Sequence, residues 1–155
     1  MNFQIHALPE ESFAPLFALP DDALRARGIR RVVADGRSGY PCRVSLQDAT
    51  EGERLLLLPH RHHDVDTPYR ACGPIYVRES ATQAAPEVDA VPALLRTRLL
   101  SLRAYDARGM MAWAEVVEGA RVEDGIARLF AIDRVDYLHI HYAKPGCYAC
   151  RVVRA

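Results

Sequence analysis

Lysine is nearly missing from this 155-residue chain: of its 20 basic residues only Lys144 is lysine and the rest are arginine. Such a skew fits genomic base composition better than function, although arginine does supply bidentate anion donors. An excess of either charge is also missing, because 20 acidic residues are interspersed with the 20 basic ones. Without a basic stripe or tail, nothing predicts nucleic-acid binding or attachment to an anionic membrane. No apolar run approaches the ~18 residues needed to span a bilayer. The start, "MNFQIHALPEESF", has no basic lead, long apolar stretch or small-residue cleavage site, so no signal peptide is expected and the address is read as cytoplasmic. There is no G-x-S-x-G elbow, no glycine-rich phosphate loop and no H-E-x-x-H zinc helix.

What is present predicts one domain over 1–155, long enough to bury a core without disulfide or metal staples. Strands are expected at Phe3–Leu8, Arg31–Ala34, Cys42–Leu46, from Leu55 onward, and at Ile75–Arg78. In Cys42–Leu46 the alternation puts Cys, Val and Leu inward and Arg and Ser outward. Asp21–Arg27 reads as a short helix, opened by Pro-Asp-Asp and stopped by Gly28. "DGRSGYP" reads as a turn, and "ESATQAAPEVDAVP" as the longest loop. Arg98–Tyr105 and Met110–Val117 flank "DARG" as a hairpin. Val122, Ile126, Leu129 and Phe130 mark one face of a helix, which Gly125 weakens by about 1 kcal/mol relative to alanine. Tyr137–Tyr142 and Tyr148–Val153 close the chain as strands. The fold class is therefore α+β, a mainly antiparallel sheet with two or three short helices and a C-terminal β-β-α-β-β unit. The lone Trp113, between alanines, reads as packing.

Five of the six histidines fall in two clusters: His60, His62 and His63 in "HRHHDVDTPYRACGP", then His139 and His141. Strand alternation puts Leu138 and Ile140 on a core face and Tyr137, His139 and His141 on the other. If the first cluster stays extended, His60, His62 and Asp64 share a face and His63 points opposite with Arg61. A zinc or iron centre would need the two clusters to meet in space, and the spacing does not demand it, so no residue is assigned as a metal ligand. The fold is expected to be stable without a metal. "GCYACRVV" imitates a thioredoxin motif but lacks the helix that would activate its first thiol. Cys42, Cys72 and Cys150 read as small buried apolar residues, and Cys147, after a Pro-Gly turn, as a candidate nucleophile or soft ligand.

"GYPCRVSLQDATEGERLLLLPHRHHDVDTPYRACGPIYVRE", "LLSLRAYDARGMM" and "HIHYAKPGCYACRVVR" together resemble a small bacterial family, domain of unknown function 1203. The resemblance extends over nearly the whole chain and implies a bacterial cytoplasmic protein; it brings no catalytic residues.

Function is expected to lie in a polar pocket where the His62–Arg70 loop approaches the His139/His141 strand. His62, His63, His139, His141 and Cys147 are the catalytic candidates, and Asp64, Tyr69, Arg70 and Arg78 the ligand-binding ones. The expected partner is a small anionic molecule, bound or processed; whether the protein is an enzyme stays open, and no cofactor is identified. Two alternatives stand beside this reading: a non-catalytic interaction or regulatory module with solvated histidines, and a metal-binding protein using both histidine clusters.

Overall fold

The computed structural model of the chain describes residues 2–36 and 39–155; the turn expected at "DGRSGYP" lies partly outside them. The architecture is α+β, with eight strands among the described residues forming two antiparallel sheets. The strands are β1 Phe3–His6, β2 Arg30–Val33, β3 Arg54–His63, β4 Ala71–Arg78, β5 Leu99–Tyr105, β6 Met111–Glu118, β7 Tyr137–Tyr142 and β8 Tyr148–Arg154. The helices are α1 Asp21–Ala26, α2 Ala93–Arg96 and α3 Val122–Phe130, with short 3₁₀ turns at Glu10–Ser12, Ala14–Ala18 and Gly119–Arg121. No helix of the described residues is long and apolar enough to cross a membrane.

The larger sheet runs β1-β8-β7-β5-β6, so the first strand pairs with the last and closes the C-terminal β-β-α-β-β unit. One face of this sheet carries the main core. Leu138 and Ile140 of β7 and Leu100 and Leu102 of β5 meet Val122, Ile126, Leu129 and Phe130 of α3 in one buried cluster, as the periodicities predict. Glu123 and Asp124 in the first turn of α3 and Arg128 in the last suit the helix dipole. The hairpin between β5 and β6 turns on Asp106, whose side chain accepts the backbone N–H of Arg108 and Met110 at 2.9 and 3.0 Å, with Gly109 at φ +83°. Only a residue without a Cβ enters that conformation freely.

The smaller sheet, β2-β3-β4, carries a second core in which Leu56, Leu58, Ile75 and Val77 pack with Phe13, Leu24 and Ile29. Three expectations change here. Cys42–Leu46 is a turn rather than a strand: Pro41 and Cys42 form only isolated bridges, and Leu46 has φ +49°. Arg43, expected outward, is 1% exposed. Trp113 is 59% exposed on the edge strand β6 and packs into neither core.

Candidate functional site

The second face of the larger sheet is polar. Antiparallel register sets Ser101 of β5 beside His141, Arg103 beside His139 and Tyr105 beside Tyr137. On the other side of β7, Arg151 of β8 lies beside His139 and Tyr148 beside His141. Alternation thus puts His139 and His141 opposite Leu138 and Ile140, as expected, but they are not solvated: they are 3% and 0% exposed.

The end of β3 approaches this face, and its geometry departs from simple alternation. The β3–β4 register slips between His60 and His63, where a β-bulge interrupts the ladder. A bulge re-aims side chains by adding a residue to one strand. His62 and His63 consequently both reach the larger sheet, correcting the expectation that His63 points away with Arg61. The His62 ring centroid is 5.0 Å from that of His141 and 6.1 Å from that of His139, while His63 is 5.0 Å from His139.

The two clusters therefore meet. One ring nitrogen from each of His62, His139 and His141 lies within 4.8 Å of the others. Nδ1 of His62, Nδ1 of His139 and Nε2 of His141 are buried with no hydrogen-bond partner among the described residues. His141 donates Nδ1–H to the Gly146 carbonyl at 3.1 Å, which leaves the lone pair on Nε2. Tyr148 lies flat against His62, with centroids 5.2 Å apart and planes 9° from parallel. Burial, assisted by the charges of His60 and Arg103, lowers His62 to about 4. Burial first and neighbouring histidines second lower His139 to about 2. Burial and the Arg103 charge lower His141 to about 3, against the Gly146 hydrogen bond. All three rings are neutral near pH 7, the form that binds metal.

His63 differs. Its Nδ1 meets the Tyr69 carbonyl and its Nε2 the Tyr137 hydroxyl, both at 2.8 Å. Both nitrogens are occupied, so it supports the cluster without belonging to the converging set. Tyr69 touches the site through that carbonyl and through a ring contact with Tyr105 at 6.3 Å. The other candidates turn elsewhere. Asp64 is exposed beside Arg61. Arg70 closes its own loop on the Val65 carbonyl at 2.8 Å. Arg78 is tied to Glu53, Ser45 and Gln47 near the start of β3. Cys147 accepts a hydrogen bond from Arg43 at 3.0 Å and lines a separate cavity. Burial pushes the Cys150 thiol up to about 12, and Cys72 is exposed rather than buried. The histidines themselves line neither of two cavities of about 650 and 560 Å³.

Sequence reasoning missed Arg103, Arg151 and Tyr148 around the cluster. Their positions in the strands carried the signal, because alternation puts them on the histidine face once the register is known; the register itself was not readable. Chemically, three neutral imidazoles with no thiolate or carboxylate among them suit zinc, copper, nickel or iron. The 2-His-1-carboxylate arrangement of many iron oxygenases is not what these residues offer.

A family model described as a protein of unknown function (DUF1203) matches residues 39–154. No curated protein and no solved structure gives a significant match.

Proposed function

The chain belongs to DUF1203, a family described only as proteins of unknown function, and we propose that it is a metal-binding protein holding one zinc ion on His62, His139 and His141. The observation that carries this reading is the convergence of three imidazoles, each keeping one buried ring nitrogen without a hydrogen-bond partner among the described residues, with ligand nitrogens within 4.8 Å of one another. Nitrogens bonded to a tetrahedral zinc at 2.0–2.1 Å are roughly 3.3 Å apart, so small ring rotations suffice to close the set. Structural zinc sites use four protein ligands; three protein ligands are the pattern of catalytic sites, which keep a position for water or substrate. Zinc in such a site lowers the pKa of bound water to about 7.

The chain's own residues favour an anionic molecule at that position. Arg103 and Arg151 flank His139 in register on the two neighbouring strands; Arg103 hydrogen-bonds Tyr105 but forms no ion pair among the described residues. No carboxylate is a member of the histidine set. The proposal thus joins the small anion expected from the sequence to a metal rather than to a cysteine. It includes a bacterial cytoplasmic setting, which the four free thiols support.

Cobalt titration tests it. One equivalent per chain with the intense visible bands of a tetrahedral site is expected, together with loss of both in His139→Ala. If neither zinc nor cobalt binds stoichiometrically, or if His139→Ala binds as well as the parent, the proposal fails.

A further inference from the structure

A second site, independent of the histidine cluster, lies where the 39–43 segment faces the turn between β7 and β8. A cavity of about 560 Å³ there is lined by Arg43, Arg98, Lys144, Tyr76, Tyr142 and Cys147, with Pro41, Leu99 and Pro145 completing its apolar wall. We propose that this cavity binds a small organic oxyanion, a carboxylate or phosphate carried on an apolar body about the size of one ring.

The argument begins with Arg43. Its side chain is buried, and it pairs with no carboxylate among the described residues. Nε donates to the Tyr148 carbonyl at 2.7 Å, Nη1 to the Pro41 carbonyl, and Nη2 to Cys147 Sγ at 3.0 Å. A guanidinium has five N–H donors, so two remain. A buried charge held only by neutral groups is costly, and an anionic partner offsets that cost. Arg98 is already matched by Asp48, at 2.6 and 3.0 Å. Lys144 forms no ion pair among the described residues. The wall therefore carries the uncompensated positive charge of Arg43 and Lys144.

Tyr142 supplies the second, independent sign of a ligand. It is 4% exposed, its ring lies between Arg43 and Arg98 with each Cζ 5.2 Å from the centroid, and its hydroxyl has no hydrogen-bond partner among the described residues. A tyrosine hydroxyl is protonated at neutral pH and can donate to an oxyanion. At 5.2 Å both guanidinium groups make cation–π contacts with the ring. The volume falls in the range that encloses small ligands, 300–1,000 Å³. Apolar walls with a few convergent donors are the composition such ligands need.

The test uses the full chain stripped of metal and freed of chelator, so that an anion cannot score by sitting on a metal ion. Phenyl phosphate, phenylacetate and benzyl alcohol are titrated by saturation-transfer NMR. Location is read by mass spectrometry of iodoacetamide labelling at Cys147, with the exposed Cys72 as internal control. Phenyl phosphate or phenylacetate is expected to bind with a Kd of about 1 mM or tighter and to slow labelling of Cys147 saturably but not of Cys72; the stronger of the two identifies the oxyanion. Tyr142→Phe keeps the ring and should weaken binding about tenfold; Lys144→Gln, at an exposed position, should weaken it less and flatten its salt dependence. The proposal is overturned if neither acid binds saturably, if benzyl alcohol protects Cys147 equally well, if protection is the same at both cysteines, or if both variants bind as the parent does.

Discussion

A histidine hydrogen-bonded through both ring nitrogens has no lone pair left for a metal. His63 is such a ring, between Tyr69 and Tyr137, and its substitution should separate support from ligation. His63→Ala is expected to lower stability by about 1–3 kcal/mol, the range for stranding buried partners, while one equivalent of cobalt still binds; a urea melt and a cobalt titration check the two halves. The converging histidines carry a pH dependence of defined sign in the metal-free protein. Unfolded, each titrates near 6.5; folded, burial holds them at about 4, 2 and 3. Between those values the unfolded chain binds more protons, so stability rises with pH there. The contribution is fully present above pH 6.5 and is lost as pH falls through the folded values. Urea midpoints of metal-free protein should therefore drop from pH 7 to pH 4, and a flat profile would mean that the rings are solvated.

Among the elements, α3 shows competing effects at one residue. Gly125 costs helix propensity, about 1 kcal/mol against alanine. Yet a Cβ there would stand 2.6 Å from Leu102 Cδ1, 3.0 Å from Glu115 Oε1 and 3.1 Å from Val117 Cγ1. Leu102 is fully buried in the main core, so its methyl can give way only by repacking its neighbours. Overpacking of about 1–3 kcal/mol outweighs the gain, so Gly125→Ala should lower the urea midpoint despite improving the helix. The helix face, the β5–β6 hairpin and the inward–outward pattern of β7 were legible because each is a local periodicity with a core on one side. The bulge in β3 was not, because "HRHHD" holds no signal for where a ladder slips. Cys42–Leu46 alternates like a strand but makes only an isolated bridge to Tyr76 of β4, and the inward turn of Arg43 depends on the Tyr148 carbonyl and the Cys147 sulfur, both more than 100 residues away. The members of the histidine site were thus visible in the sequence, but not their meeting.

At the scale of the whole molecule, the histidine cluster joins two sheets whose main cores are separate. An ion on His62, His139 and His141 would tie β3 to β7 and bind the folded chain alone. Free zinc at a hundredfold excess over its Kd should then add about 2.7 kcal/mol. For a chain of this length that is a rise in Tm of about 5–10 °C. Removing the metal should reverse the rise without unfolding the protein, since both apolar cores persist; scanning calorimetry with and without zinc checks this.

The pairing of β8 between β1 and β7 also sets a schedule for biosynthesis. Until the ribosome has delivered Tyr148–Arg154, β1 has no partner in its sheet and β7 presents an open edge, the template on which strands of other chains can add. β5, β6 and β7 can pair as they emerge, but the sheet closes onto β1 only when β8 has been made. Nascent chains arrested before Tyr148 should stay protease-sensitive and associate with holdase chaperones, whereas chains extended past Arg154 by a linker that clears the exit tunnel should become resistant in one step.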